Sequence, residues 1–307
     1  MYCPQCKREL QVKDQEAQCI GCALSFFCKD GIWDLLPCEL ADWKKDEAEY
    51  HSEFPEEVWD THQLGRLRNR SAHKVIHDAL LRLSRGARVL EVGCGVGYDA
   101  AVLVRGGFLV TLTDISIGTL KRAKKNIKPD GRADFVVADA DALPFGNASF
   151  DAVFINASLH HLPDPKTALR EMARVVRPGG LVIAGIEPNR FWHLSIQHFR
   201  PVLCRATHTP EHGGSIADEK LKGFTKAELV GAFESCDLVV DRVIPVWFLT
   251  GLIHYGLEFL YRAFHLRYRI RTPDWLDRIF LMADCVLFLI PGLDRLCWHW
   301  TVIGKKI

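Results

Sequence analysis

The chain has 307 residues, 48% of them hydrophobic and 25% charged, which is ample material for a folded core. That length allows one large domain or two. A formal net charge of +1 removes any global electrostatic argument for nucleic acid or an acidic surface as partner.

The opening "MYCPQCKREL" has no basic-then-apolar leader, and the eleven cysteines are odd in number and scattered. Reduced thiols in a cytoplasmic chain are therefore expected, rather than a disulfide framework. No uninterrupted apolar run reaches the roughly 18 residues of a membrane-spanning helix. Cys3-Pro-Gln-Cys6 and Cys19-Ile-Gly-Cys22 are two CxxC pairs twelve residues apart. Two such turns can close a tetrahedral shell of four thiolates around Zn²⁺. The polar, alternating "KRELQVKDQEAQ" between them suits a small hairpin. So short a segment has little core of its own, and a metal would hold it together. Residues 1–38 thus resemble a zinc ribbon, with Cys3, Cys6, Cys19 and Cys22 as ligands and Cys28 as packing. Residues 39–70 are charged and lack a continuous apolar stripe, so they read as a linker with helical pieces, or a helical lid. "SAHKVIHDALLRL" (71–83) then has apolar residues at helical spacing.

From residue 87 the pattern alternates: strand "ARVLEVG", helix "GYDAAVLVRGG", strand "FLVTLTD", helix "SIGTLKRAKKNI", strand "ADFVVAD". Strand "SFDAVFIN", helix "DPKTALREMARVV" and strand "GGLVIAGIEP" follow. Such alternation predicts an α/β, doubly wound, mostly parallel sheet with ligands at the carboxyl ends of its strands. "GFTKAELVGAFES" begins with a capping box, Thr225 to Glu228. "LVVDRVIPVWF" and "CWHWTVIGKK" read as the sixth and seventh strands.

The glycine run Gly93-Cys94-Gly95-Val96-Gly97 follows the first of these strands, and Tyr98 stands where a dinucleotide fingerprint requires glycine. No Gly-Lys-Ser/Thr follows, which excludes a P-loop. Glu91, two residues before the run, would repel a pyrophosphate but suits a cationic ligand. S-adenosylmethionine carries a sulfonium and an ammonium and has no phosphate. Asp114 ends the second strand, where an acid can accept both hydroxyls of a ribose. Asp139 ends the third, placed to accept from an adenine amino group, with the Ala140 N–H as donor to a ring nitrogen. Asn156 ends the fourth, near the methionyl part.

"VLEVGCGVGYDA", "LTDIS" and "VADADALPFGNASFDAVFINASLHHLPDPKTALREMARVVRPGGLVIAGIEPN" resemble the class I S-adenosylmethionine-dependent methyltransferases, in the branch of ubiquinone and menaquinone biosynthesis. The likeness runs over about residues 70–190 and more weakly beyond. It implies a seven-stranded Rossmann-like domain over 71–307. It also implies a cofactor set of Glu91, Gly93, Gly95, Gly97, Asp114, Ile115, Asp139, Ala140 and Asn156.

Methyl transfer needs alignment of the acceptor and sometimes a base. His160 and His161, after the fourth strand, either act as that base or shape the loop. Glu187, at the end of the fifth, either faces the acceptor or binds a backbone amide. His193, His198, His208 and His212 are spaced irregularly, which favours a substrate-side loop over a metal site. In the resembled family a short hairpin joins the last two strands; here an apolar insertion, 250–296, intervenes, with arginines at 262, 267, 269 and 271. Its two helical stretches either bury each other on the domain or lie on a membrane surface. A small-molecule or lipid-like acceptor is the first expectation. An RNA methyltransferase using the ribbon as grip, and an inactive scaffold, are the alternatives.

Overall fold

The computed structural model describes residues 1–53, 66–127, 131–207, 222–268 and 270–307. His208, His212 and Arg269 lie outside them. Strands β1 (Leu10–Lys13), β2 (Glu16–Cys19), β3 (Ser25–Lys29) and β4 (Ile32–Asp34) form an antiparallel meander bearing the CxxC pairs. Helices α1 (Asp42–Glu53) and α2 (Leu67–Leu80) lead to the predicted alternation. It runs β5 (Arg88–Val92), α3 (Tyr98–Arg105), β6 (Leu109–Asp114), α4 (Ile117–Asn126), β7 (Ala133–Val137), β8 (Phe150–Asn156), α5 (Pro165–Val175) and β9 (Val176–Pro188). After α6 (Arg190–Thr207) come α7 (Lys226–Glu234), β10 (Leu238–Val246), α8 (Leu249–Ala263), α9 (Asp274–Leu287) and β11 (His299–Lys306). The capping box predicted at Thr225 and Glu228 opens α7 with both of its hydrogen bonds in place.

The seven strands expected from the sequence are present, but among the described residues the sheet has eleven. Its order is β1-β2-β3-β4-β7-β6-β5-β8-β9-β11-β10. The sequence reading stopped the sheet at β7. Instead β4 pairs parallel with β7, Trp33 opposite Val136 and Asp34 opposite Val137. Left as an edge, β7 would present unpaired N–H and C=O groups, and β4 covers them at its carboxyl end, Val136 and Val137. From β4 to β9 every pairing is parallel; β11 runs antiparallel to both β9 and β10.

Alternation within the strands splits the core between two faces. Ile76 of α2, Leu103 of α3 and Leu120 of α4 pack with Val89, Leu112 and Phe154. On the other face Leu169 and Met172 of α5 and Leu229 and Phe233 of α7 pack with Leu90, Val153 and Trp300. Cys3, Leu10, Phe26 and Leu35 of the ribbon belong to this second cluster. A smaller cluster, Ala72, Val246, Trp247 and Trp298, sits where α2 meets the insertion.

Candidate active site

Strand order reverses between β5 and β8, and a crevice forms there beyond the strand ends in sheets of this kind. A cavity of about 530 Å³ occupies that place. Glu91, Gly93, Gly95, Asp114 and Ile115 line it from one side, and Asp139, Ala140, Asn156, His160 and His161 from the others. Ten of the sequence-predicted residues therefore converge. Gly97 and Glu187 stand behind the wall.

The loop after β5 takes its shape from three glycines at positive φ: Gly93 (63°), Gly95 (53°) and Gly97 (75°). A Cβ on Gly93 would meet Ser158 at 2.9 Å. One on Gly97 would press on Ala123, Ile127 and Leu112 at 3.1–3.3 Å, so this glycine lets the loop and α4 pack closely. Asp114 holds the loop: its Oδ2 accepts from Gly95 N at 3.1 Å and its Oδ1 from Ser116 N at 2.9 Å.

Glu91 is 2% exposed and its Oε2 accepts from Ala100 N, in the first turn of α3, at 3.1 Å. Burial, with repulsion from Asp99 and Asp114, pushes its carboxyl well above the usual range. Asp99, also buried, takes His73 Nδ1 at 2.8 Å and His77 Nε2 at 2.7 Å on Oδ1, and Asn156 Nδ2 at 2.8 Å on Oδ2. Burial alone would raise this carboxyl; the two imidazoles overcome it and hold it low. Asn156 Oδ1 is buried and has no hydrogen-bond partner among the described residues.

Both carboxylate oxygens of Asp139 accept from Lys44 Nζ, at 2.7 and 2.6 Å, Oδ1 also accepts from Asp141 N at 3.0 Å, and Lys44 reaches Asp141 at 2.7 Å. Lys44, Glu47 and His51 lie on one face of α1, a segment the sequence reading treated as linker or lid. Gly118 admits this helix, because a Cβ there would lie 2.7 Å from Ser52 Cα. Ser52 Oγ and Ser116 Oγ are 2.8 Å apart, and the Arg122 guanidinium donates to the carbonyls of His51 and Ser52. The functional residues missed from sequence are thus on α1 and α2. Their only signal was polar side chains at helical spacing: 44, 47 and 51, and 73 and 77.

Glu187 is fully buried. Its carboxylate accepts from the N–H groups of Ser158, Leu159 and His160 and from His160 Nδ1 at 2.9 Å. Of its two sequence readings this is the backbone-amide one, and it fixes the loop that carries the histidines. His161 Nδ1 lies 3.0 Å from Glu47 Oε1, as does His51 Nε2. A carboxylate only accepts, so Nδ1 of His160 and of His161 is the donor in these two contacts.

The other end of the cavity is aromatic. Trp298 is sandwiched between Trp192 and Tyr255, with ring centroids 4.3 Å away on both sides. Trp247, His254, Tyr255 and His299 line the cavity, so the insertion supplies part of its wall. His193 also lines it, while His198 points outward from α6.

In the ribbon, the Cys3 and Cys22 sulfurs are 3.6 Å apart and those of Cys6 and Cys19 3.3 Å. All four lie within 4.8 Å of one another. A tetrahedron with Zn–S bonds of about 2.3 Å needs sulfurs about 3.8 Å apart, so the set fits the metal. Both knuckles fold alike: Lys7 and Ala23 take positive φ and donate to the carbonyls of Cys3 and Cys19.

The methyltransferase-domain family matches residues 90–184. The demethylmenaquinone methyltransferase of Renibacterium salmoninarum is 41% identical over 117 residues, 38% of this chain and 46% of its own. The 2-methyl-6-phytyl-1,4-hydroquinone methyltransferase of a Synechocystis is 42% identical over 198 residues, 57% of this chain and 59% of its own. An uncharacterized methyltransferase of Mycobacterium tuberculosis is 40% identical over 170 residues, 52% of this chain and 85% of its own. The chain spans about half the length of the curated relatives it matches first. Among solved structures, the cyclase SpnF aligns with TM-score 0.56 at 18% identity, over 88% of this chain and 97% of that one. Phosphoethanolamine N-methyltransferase 2 of Haemonchus contortus, in complex with S-adenosyl-L-methionine, aligns with TM-score 0.54 at 15% identity, over 88% and 61%. These two likenesses are of fold, and a cyclase on the same fold illustrates that fold alone does not decide the reaction.

Proposed function

The chain belongs to the S-adenosylmethionine-dependent methyltransferases, and on that premise we propose that it methylates a small-molecule acceptor held in the cavity. The observation that carries this reading is the donor and acceptor inventory of the cavity. Asp99 and Asp114 line it, Glu91 lines it as a buried carboxyl pushed towards its neutral form, and Asn156 Oδ1 offers an unmatched buried acceptor. Among the described lining residues the only lysine or arginine is Lys44, already neutralised by Asp139 and Asp141. Such a lining rejects a pyrophosphate and suits a ligand rich in N–H and O–H donors and positive charge.

When bound, S-adenosylmethionine supplies a methyl group activated by a sulfonium. Asp114 would hold the ribose hydroxyls beside the glycine loop, with Ile115 against the adenosine. Asp139 and Ala140 would hold the adenine end beneath Lys44. Asn156, steadied by Asp99, would receive the ammonium. His160 or His161 would take a proton from the acceptor, each ring oriented by its carboxylate. Trp247 and Tyr255, which line that end of the cavity, would bind a flat apolar body, with Trp298 packed behind Tyr255. Two of the relatives are named for quinone-type acceptors, which have such a body. The four cysteines would hold a structural zinc.

Titration calorimetry tests the cofactor assignment. Wild-type chain should bind S-adenosylmethionine, and Asp114→Ala should weaken binding by about 1–3 kcal/mol through loss of charge-assisted hydrogen bonds. Unchanged affinity in that variant would place the ribose elsewhere. Labelled cofactor incubated with a cell extract should then mark the acceptor by one methyl group.

A further inference from the structure

Helix α9 is amphipathic in the reverse sense of a packed surface helix, whose apolar stripe faces the core. Two of its three acidic residues, Asp277 and Asp284, point inward. Asp277 is buried with the Arg68 guanidinium 3.6 Å away and accepts from Thr272 Oγ1 at 2.5 Å. Asp284 is buried too, and its carboxylate takes the N–H groups of Phe248, Leu249 and Thr250, closing the start of α8. On the opposite side Trp275, Ile279, Met282 and Val286 follow one another at intervals of four, three and four, a single stripe. They are 63%, 52%, 69% and 63% exposed. Polar anchoring inside and bare apolar surface outside leave the stripe waiting for something apolar.

The charges around the stripe say what. Arg267, Arg271 and Arg278 are exposed in the loop before α9 and beside the stripe. The exposed acid nearby, Asp274, already faces Arg70 at 3.4 Å. A second copy meeting this face across a twofold axis would bring arginines against arginines. Lipid phosphates would accept them, and Trp275 suits the level of the headgroups. No described helix is long and apolar enough to cross a membrane, so contact would be made lying on the surface.

We propose that the outer face of α9 docks on an anionic lipid bilayer, the Trp275–Val286 stripe entering the boundary between headgroups and acyl chains. The adjoining α8 gives His254 and Tyr255 to the cavity wall. Docking thus sets the aromatic end of the cavity beside the lipid, and the acceptor is drawn from the lipid phase. That last step rests on the methyl-transfer reading; the docking does not.

Flotation of the full chain with vesicles tests it. The chain should rise with vesicles of phosphatidylcholine and phosphatidylglycerol, poorly with phosphatidylcholine alone, and less as salt is raised. The fourfold variant Trp275→Gln, Ile279→Gln, Met282→Gln, Val286→Gln changes exposed side chains only. It should keep its thermal midpoint and its S-adenosylmethionine affinity while losing at least about tenfold in vesicle partition. Arg267→Glu, Arg271→Glu, Arg278→Glu should lose the preference for anionic vesicles. A wild-type chain that stays out of both vesicle types, or a fourfold variant that floats equally well, overturns the proposal. So does a dimer, seen by light scattering, that the fourfold variant dissolves, since it would give the face to a second copy. Failure of wild-type chain to bind S-adenosylmethionine would instead sink the methyl-transfer reading and leave the docking standing.

Discussion

Glu91 shows how a single buried carboxyl turns position into energy. It hangs beneath the first turn of α3, and burial raises its pKa well above the usual value. The unfolded chain ionises this group near pH 4.3, whereas the folded chain keeps its proton to higher pH. Stability therefore falls as pH rises above about 4.3, by at most about 1.4 kcal/mol per pH unit, until the folded group also ionises. Glu91→Gln keeps an acceptor for Ala100 N–H and removes the titration. Its stability relative to wild type should climb as the pH is raised above the unfolded value, as read in urea unfolding. A flat difference would mean that Glu91 ionises freely in the folded chain. Sequence placed this residue correctly, yet read it as a bare negative charge, because burial under a helix leaves no mark on the local pattern. Asp114, Gly93 and Gly95 line the cavity as expected, since strand-end acids and loop glycines declare themselves by spacing, whereas Gly97 packs behind it. Asp99 was not. Its partners His73 and His77 come from another element, and only the tertiary fold brings them together.

Among elements, α1 departs most from its sequence reading. Strands and helices from residue 87 onward were legible because apolar periodicity changes sharply between them. The segment 42–53 is rich in charge and offered no continuous apolar stripe, so the sequence marked it only as linker or helical lid. It docks through polar contacts and one close approach, Gly118 against Ser52. Gly118→Ala would put a Cβ 2.7 Å from Ser52 Cα and 3.0 Å from its carbonyl oxygen. Overpacking of this kind costs about 1–3 kcal/mol, and here it would fall on the docking of α1. Hydrogen exchange should speed up in α1 while α3 stays protected, and S-adenosylmethionine should bind more weakly because Lys44 and Glu47 leave the cavity. Equal protection of both helices, with unchanged affinity, would show that α4 yields instead.

At the scale of the whole molecule, the ribbon decides whether this is one cooperative structure or two. Local cysteine spacing suggested a separate module held together by its own metal. Long-range pairing is invisible in such spacing. The meander continues the main sheet through β4 and β7, and Leu35 N donates to Val137 O at 2.9 Å. Tyr2 N donates to Pro144 O at 2.9 Å, and Lys7 reaches Glu171 on α5 at 2.9 Å. Cys3, Leu10 and Phe26 pack in the same cluster as Val136, Leu143 and Phe145. Loss of the metal would therefore free β7 as an edge and open one side of the core, close to the strand end that carries Asp139. With zinc bound, elemental analysis should find one ion per chain, and scanning calorimetry should show a single main transition. A strong chelator, or Cys3→Ser, should lower the midpoint of that transition by several degrees, because structural zinc binding is folding free energy. S-adenosylmethionine affinity should fall with it, through the loosened Asp139. Were the main transition to stay in place while only a small early one appeared, the ribbon would be an independent unit resting against the sheet.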